Sequence, residues 1–454
     1  MNSMKSSTNK YIYLLYFFLL PFGKLFHLDE LVNTPYMFVN ISSFVMLVGI
    51  IRLALTSSIP LFPHMQKWWS LYLFLSIYSF VFAIAFYHYG TVAGKTSFDC
   101  VPRSIVLNFF AILSVLYNSI AFSRFIRFED LIPVIKKQNA ILLTLGFIQL
   151  GMLYGVPGCA PINDSLASVF TILDSEKLVS GDRGITLLGD EPSSISVLLF
   201  VTIPFILALD IKRKKWKNTI LWTVLYLSSG SSQALIMFII AIAIALYVRF
   251  KRKIHGFFYI IAFSLGMFMA LFYTYGIEVS NKAVDNKDIS YILYGKIVDT
   301  ENQSTATRVS TIINDVKIFE EFPLTGVGDG MQAFFYKDNI PVWCSYAEEV
   351  QTILSGKIAA SGGGNFFATY ISAYGLIGII LLGIFVRQYR KDIHMYLFSC
   401  DNVVVIATSI SIIIFLASGW YTIAFHNNEY VPLTLSLPYL GLSLYNKKKQ
   451  MKNI

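Results

Sequence analysis

The chain has 454 residues, of which 55% are hydrophobic and only 14% are charged, and its mean hydropathy is +0.60. A soluble domain carries about a quarter charged residues, so this composition excludes an ordinary soluble protein and indicates an integral membrane protein. We assign the net charge of +9 to membrane topology and to contact with anionic membrane lipids, and we expect no binding to nucleic acid.

Repeated apolar runs of about 20 residues predict transmembrane helices along the chain. We predict an all-α integral membrane protein in which residues 1–454 form one polytopic domain with about twelve spans. The apolar run 217–228 is short. Together with the run 233–249 it forms either two spans or a tight hairpin that does not fully cross the membrane. The first run follows Lys5 and Lys10 without a small-residue cleavage site, so we expect a retained span rather than a cleaved signal peptide. The predicted spans are 11–23, 36–55, 68–89, 104–122, 139–157, 193–209, 217–228, 233–249, 256–276, 366–386, 403–421 and 432–446.

The distribution of lysine and arginine predicts the orientation, because basic residues of short loops stay in the cytoplasm. Seven segments assigned to the inside hold 24 of the 36 basic residues, whereas the short outside loops hold three. Both termini are therefore predicted to be cytoplasmic. The absence of a soluble targeting segment fits an integral protein of a bacterial inner membrane. The inside segments are 1–10, 52–67, 123–138, 212–217, 249–255, 387–402 and 447–454.

Two longer segments are predicted to face outside, residues 158–192 and residues 277–365. Segments of this length usually carry function or their own structure. The sequence contains no nucleotide-binding or zinc motif, so we expect no metal and no cofactor. Cys159 and Cys344 face outside in this topology, where they are either free thiols or a disulfide pair.

The second external segment contains the stretch RVSTIINDVKIFEEFPLTGVGDG, residues 308–330. Apolar residues recur at helical spacing on one face, with Arg308, Thr311 and Asp315 on the other, which predicts an amphipathic helix at the membrane surface. Thr305 or Thr307 is expected to cap its start, and Pro323 to end it. Arg308 then lies in the first turn, where a cation opposes the helix dipole, which indicates that its guanidinium is used elsewhere. The glycines that follow form a turn whose N–H groups either face an anion or pack tightly. The apolar residues are Val309, Ile312, Ile313, Val316 and Phe319.

The first external segment contains SGDRGITLLGDEPSS, in which Arg183 is the only arginine. Asp190 and Glu191 precede Pro192 at the predicted start of the next span. They are either simple helix-start residues or site residues.

These stretches, taken in order, resemble the Wzy/WaaL-type O-antigen polymerase and ligase superfamily. DRGITLLGDEPSSIS resembles the family's arginine–glycine and Glu-Pro-Ser segment, and LYLSSGSSQALIMFI resembles its Leu-x-x-Ser hairpin. The third piece is an arginine followed by FPLTGVGDG and GGGNFFATYISAYGLIG. The ordered set covers about residues 183–380. The matching residues are Arg183, Gly184, Glu191, Pro192, Ser193, Arg308, Phe322, Pro323, Gly326, Gly328, Asn365, Phe366, Gly375, Leu376 and Gly378.

The resemblance implies a polytopic glycosyltransferase of the GT-C-like kind that uses undecaprenyl-diphosphate-linked saccharides. It implies that Arg183 and Arg308 stabilise the departing diphosphate. It also implies that Glu191 is the base, with Asp329 as the second candidate for that role. Asp329, Gly326, Gly328 and Asn365 are the expected substrate-binding residues, although Asn365 is also placed to cap the tenth span. Membrane lipids and a chain-length regulator protein are the expected partners.

Two departures from the family pattern favour the polymerase branch. The family's ligases have a histidine before the asparagine, where this chain has Gly364, and a histidine before the proline, where it has Phe322. An O-antigen ligase and a lipid-linked oligosaccharide flippase are the alternative functions. A flippase is expected to carry intramembrane charges or broken helices, and the predicted spans are almost free of charge.

Overall fold

A computed structural model describes residues 2–22, 41–56, 63–167, 184–187, 192–251, 303–357, 365–418 and 430–442. In these ranges the only regular structure besides helix is one isolated bridge between Val92 and Lys95. This confirms the all-α prediction for the part of the chain that is described. The α-helices are Asn2–Leu19, Ile41–Thr56, Pro63–Ala85, Ser97–Arg124, Phe128–Leu153, Cys159–Ala167, Thr202–Arg213, Lys217–Leu227, Ser232–Lys251, Gln303–Glu321, Tyr336–Asn339, Glu348–Leu354, Phe366–Tyr396, Asn402–Ser418 and Tyr430–Ser436.

Short 3-10 helices extend several of these elements. Pro192–Phe200 leads into Thr202–Arg213, and Leu437–Gly441 continues Tyr430–Ser436. Every predicted span within the described ranges contains helix, while the predicted span 256–276 lies outside them. The helix Lys217–Leu227 has 11 residues, too short by itself for a hydrocarbon core about 30 Å thick. This length agrees with the hairpin alternative.

Several helices have the length and composition of membrane spans. Among the described residues, Gln66–Tyr89, Phe128–Leu153 and Phe366–Ser399 are long and apolar enough to cross a bilayer. Three shorter apolar helices accompany them, at Ile41–Thr56, Gln233–Arg249 and Asn402–Ser418. The chain is therefore a membrane protein with several apolar helices of membrane length, and the count of twelve spans stays a prediction.

Polar contacts at the helix ends join segments that the charge distribution assigns to the same side of the membrane. The acceptor in each contact belongs to another predicted inside segment or to its edge. Such contacts are expected where helix ends meet at one face of a bundle. They are Lys10 Nζ to Asp130 Oδ1 at 2.6 Å, Arg52 Nε to Asn9 Oδ1 at 3.0 Å, Lys67 Nζ to Asp392 Oδ1 at 3.2 Å, and Lys212 Nζ to Asp401 Oδ2 at 3.0 Å.

The four cysteines are free thiols in the structure. Of the two alternatives for Cys159 and Cys344, the structure therefore shows the unpaired one. Cys344 is fully buried, and this burial raises the pKa of its thiol.

Candidate functional site

The helix Gln303–Glu321, here called the Arg308 helix, begins earlier than the sequence predicts. Its first residue is Gln303, and the Thr307 hydroxyl donates to the Gln303 carbonyl at 3.0 Å. The predicted caps Thr305 and Thr307 are therefore wrong, because both residues lie inside the helix. Arg308 is the sixth residue and not in the first turn, so the dipole argument for its use elsewhere loses most of its weight. The predicted end before Pro323 is confirmed.

The Arg308 helix packs into the protein by its polar face. Ser310, Thr311, Asn314 and Asp315 are buried. The predicted apolar stripe, from Val309 to Phe319, is half-buried, and Val316 is exposed. Helical spacing alone shows that two faces differ, and it does not show which one the protein covers. The protein thus covers the apolar stripe only in part, and the position of this helix at a membrane surface stays a prediction.

Asp315 is the centre of the contact between this helix and Phe366–Tyr396. Its side chain is buried, and its two carboxylate oxygens accept hydrogen bonds from Thr369 Oγ1 at 2.9 Å and Ser372 Oγ at 2.8 Å. Asn314 beside it donates to the Gln332 carbonyl at 3.1 Å. Buried polar groups need partners of this kind, so the polar face of the Arg308 helix is satisfied inside the protein.

The helix Phe366–Tyr396, here called the broken helix, is interrupted at Gly375. Gly375 has φ 56° and ψ −155°, which is not helical. In an unbroken helix the N–H groups of residues 376 and 377 would bond to the carbonyls of residues 372 and 373. The break separates these four backbone groups and leaves each in need of another partner.

Residues 322–330, here called the glycine turn, supply the four missing partners. Leu376 N donates to the Pro323 carbonyl at 2.9 Å and Ile377 N to the Leu324 carbonyl at 3.2 Å. In return, Val327 N and Gly328 N donate to the carbonyls of Ser372 at 2.9 Å and Ala373 at 2.8 Å. The glycine turn therefore completes the backbone hydrogen bonding of a helix that the sequence predicts to span the membrane, where unpaired backbone groups are costly.

Glycine is required at this junction because the two backbones approach closely. A Cβ on Gly326, which has φ +65°, would lie 2.5 Å from the Ala373 carbonyl carbon. A Cβ on Gly375 would lie 2.5 Å from the Leu324 oxygen. Of the two alternatives for the glycine turn, the structure shows tight packing at residues 326–328. The substrate-binding role of Gly326 and Gly328 stays a prediction.

The other two predicted substrate-binding residues flank this junction. Asn365 is buried and caps the broken helix, accepting from Ala368 N at 3.1 Å, as the sequence predicts. Asp329 is half-buried, and its N–H donates to Ser79 Oγ at 3.3 Å. Burial raises the pKa of the nearby Cys100 thiol, and the charges of Asp99 and Asp329 raise it further against the opposing effect of Lys95.

Arg308 and Asn365 lie at the same end of the two helices. Contacts of Asp315 with Thr369 and of Leu324 with Ile377 show that both segments run in the same direction. Helical rise places Arg308 about 10 Å before Asp315, and Asn365 about 6 Å before Thr369. Arg308 is half-buried, and among the described residues none accepts a hydrogen bond from its guanidinium.

Two predicted catalytic residues, Arg183 and Glu191, lie outside the described residues. The described residues nearest to Arg183 are 184–187, which pack on the helix Phe128–Leu153 and on the hairpin turn at Ser229. Gln149 Nε2 donates to the Leu187 carbonyl at 2.9 Å, and Leu187 N donates to Gln149 Oε1 at 2.8 Å. A Cβ on Gly184 would collide with the Ser229 carbonyl. The first and second sequence segments of the resemblance therefore meet here.

The helix Asn402–Ser418 packs between the segment Pro192–Phe200 and the start of the broken helix. At one side it packs on Ser232–Lys251 and on the segment Pro192–Phe200, where Ser411 Oγ donates to the Phe200 carbonyl at 3.2 Å. At the other side the ring of Phe415 lies 6.4 Å from the ring of Phe366, at the start of the broken helix. Apolar residues of 184–187, of Pro192–Phe200 and of the start of the broken helix thus belong to one hydrophobic cluster, whereas Ile318, Val327 and Met331 belong to a second one.

A match to a family of known proteins covers part of these segments. Residues 218–383 match the family model Wzy_C, described as O-antigen ligase. The chain carries an O-antigen ligase/polymerase family domain. This domain runs from the hairpin at Lys217–Leu227 through the Arg308 helix and the glycine turn into the broken helix. Enzymes of the family transfer polysaccharide chains from a lipid carrier in the bacterial inner membrane. No curated protein matches the chain significantly.

Sequence reasoning missed the partners of Asp315 in this domain. Thr369 and Ser372 are polar residues three positions apart in a predicted span, which is a known signal for a hydrogen-bonded helix contact. Gln332 is also buried, and its Nε2 lies 3.4 Å from Ser372 Oγ. Among the described residues, no group of three histidine, cysteine or acidic side chains is arranged to hold a metal ion.

Proposed function

We propose that this chain is the polymerase of a surface polysaccharide. It transfers the growing chain from undecaprenyl diphosphate to a new lipid-linked repeat unit at the outer face of the inner membrane. Both termini are cytoplasmic in this proposal, and the reaction is that of a glycosyltransferase. Undecaprenyl-diphosphate-linked oligosaccharide and polysaccharide are the substrates, with membrane lipids and a chain-length regulator protein as partners and no nucleic acid.

The observation that carries the choice of polymerase over ligase is the environment of Phe322. This residue stands where the family's ligases have histidine, and its ring lies 6.0 Å from Phe86 and 5.6 Å from Phe335. Together with Ile318, Val327 and Met331 these rings form an apolar cluster. A phenyl ring has no proton to give or accept, and Gly364, at the second histidine position, has no side chain. Acid–base chemistry of the ligase kind therefore has no support at either position.

The proposed chemistry needs positive charge at the departing diphosphate, and arginine side chains can supply it. The acceptor hydroxyl attacks the anomeric carbon, the bond from that carbon to the diphosphate oxygen breaks, and the hydroxyl proton passes to a base. Arg308 and Arg183 are proposed to bind the leaving diphosphate, because a guanidinium offers a planar fork of donors and stays charged. Glu191 is the proposed base. Asp329 is the second candidate, but it lies at the opposite end of the paired segments from Arg308, which argues against a role at the same bond.

The glycine turn is proposed to shape the acceptor side of the site. Asp329 and Asn365 are candidates for contacts with sugar hydroxyls, at opposite ends of the paired segments. Gly326 and Gly328 contribute by allowing the close approach that places Asp329 beside the broken helix. This proposal is supported by their packing against Ser372 and Ala373 rather than by an open anion cradle.

A flippase is the competing proposal that one observation favours, since a broken helix is typical of transporters. In transporters the freed backbone groups of such a helix bind substrate or ions. Here the four groups freed at Gly375 bond to the glycine turn of the same chain. This pairing supports a fixed element over a transport site.

Deletion of the gene in its host tests the proposed function. Surface polysaccharide separated on a gel is expected to collapse to single repeat units on the lipid A core, and wild-type gene on a plasmid is expected to restore the ladder. A strain with no repeat unit on the lipid A core would contradict the polymerase. Retained lipid-linked units on the outer leaflet would then indicate a ligase, and their loss a flippase.

A further inference from the structure

We propose that Asp315 is a positioning residue for Arg308. Its buried carboxylate fixes the Arg308 helix against the start of the broken helix, so that the guanidinium meets the diphosphate of the lipid-linked substrate. This inference rests on the proposed function, because it assigns Arg308 to the diphosphate. It goes beyond that function by naming the group that sets the position of the arginine.

Both oxygens of the Asp315 carboxylate take part in the contact with the broken helix. Thr369 and Ser372 lie one turn apart on the broken helix and donate to different oxygens of Asp315. Because each hydroxyl has its own oxygen, the contact fixes both the rotation and the axial register of the Arg308 helix. An apolar contact at the same place would allow the helices to slide, since it has no directional partner. The Thr369 carbonyl, 3.0 Å from Ser372 Oγ, is an alternative acceptor for the same hydroxyl proton.

Rotation at Asp315 sets the direction of Arg308. The two residues are seven positions apart, and seven helical steps of 100° return the side-chain direction to within about 20°. Arg308 therefore projects toward the side of the helix that faces the broken helix, about two turns before Asp315. Thr311 lies between them on this face and is buried.

Asp315 itself is not placed to touch substrate. Its exposed fraction is 1%, and both carboxylate oxygens accept hydrogen bonds from the broken helix. A proton acceptor in the reaction needs to reach the acceptor hydroxyl, at hydrogen-bonding distance or through one water. Asp315 therefore acts on substrate binding through Arg308. Its substitution is then expected to change binding only when Arg308 is present.

Binding of undecaprenyl diphosphate to the purified full-length protein in nanodiscs tests this expectation. Asp315→Asn is expected to weaken binding about tenfold or more, because the amide keeps one acceptor oxygen and turns an N–H donor toward the second hydroxyl. Arg308→Ala is expected to weaken binding by at least as much. In the double variant, Asp315→Asn is expected to cause no further loss, since there is no guanidinium left to position.

Matched variants separate positioning from simple loss of folding. Glu320 is an exposed carboxylate on the same helix, and Glu320→Gln is expected to bind like the wild type. If Asp315→Asn yields no monodisperse protein, Ser372→Ala is used instead, because it removes one donor and leaves the carboxylate. Its smaller loss is also expected to vanish in the Arg308→Ala background.

The possible results distinguish this inference from the proposed function. Equal loss from Asp315→Asn with and without Arg308 overturns the positioning role, because the residue then acts independently. A wild-type affinity for Asp315→Asn, with Arg308→Ala impaired, also overturns it and leaves the diphosphate assignment standing. Wild-type affinity in Arg308→Ala overturns both proposals at once.

Discussion

Replacing Gly375 by alanine is expected to remove most of the folded protein. The added Cβ would lie 2.5 Å from the Leu324 oxygen and 2.7 Å from Gly326 N, and an L-residue rarely adopts φ 56° with ψ −155°. Backbone strain costs about 1–3 kcal/mol of folding free energy. The substitution also weakens the four hydrogen bonds between the glycine turn and the broken helix, each worth about 1 kcal/mol. The sum is a large part of a typical stability of about 5–15 kcal/mol. Fluorescence-detected size exclusion and a thermal unfolding curve measure the effect.

Gly383 provides a matched control in the same helix. It has helical geometry, and an added Cβ meets nothing within 4 Å. Alanine at this position is expected to leave the yield unchanged or to raise it slightly, because alanine favours helix over glycine by up to about 1 kcal/mol. Equal yields from Gly375→Ala and Gly383→Ala would show that the junction with the glycine turn does not hold the fold together.

Replacing Arg308 by lysine is expected to impair polymerisation nearly as much as replacing it by alanine. Lysine keeps the charge but loses the planar fork that binds two phosphate oxygens. The loss of one preorganised charge-stabilising group costs about 100- to 1000-fold in rate. The effect is measured as the length of the surface polysaccharide on a gel, in cells that express each variant at the wild-type level.

Lys317 provides the control for Arg308. It is exposed on the same helix, so Lys317→Ala is expected to give polysaccharide of normal length. Full-length polysaccharide from Arg308→Ala would remove this arginine from the diphosphate site. Lysine and alanine at Arg183 test that residue in the same way. Arg183 itself lies outside the described residues.

Local pattern in the sequence was sufficient to predict the helices and some of their ends. Apolar runs predicted helices that the described residues contain, Pro323 predicted the end of the Arg308 helix, and Asn365 was placed as a cap. Each of these features depends on residues within a few positions of one another, which is where sequence rules are strongest.

Features that depend on distant residues were not predicted. Nothing near Asp315 in the sequence shows that Thr369 and Ser372, more than 50 positions later, will bury it. The break at Gly375 is hidden in an apolar run because a single glycine inside a helical pattern is usually tolerated. The break is possible because residues 323–328 supply partners for the backbone groups that it frees, and this pairing is seen only in the structure.

The same argument explains the error at the start of the Arg308 helix. A threonine before an apolar run is a common cap signal, and Thr305 and Thr307 both carry it. The helix extends beyond both to Gln303. Threonine inside a helix can bond back to a carbonyl four residues earlier, as Thr307 does, so its presence does not fix a boundary.

Polymerisation by the purified protein tests the proposed function most directly. The full-length chain is reconstituted in vesicles with undecaprenyl-diphosphate-linked repeat units from the host, and the lipid-linked products are separated by length. We expect a ladder of longer lipid-linked saccharides, with one undecaprenyl diphosphate released for each bond formed and no metal or nucleotide added. Repeat units that stay single here, but are transferred when lipid A core is supplied as acceptor, would contradict a polymerase.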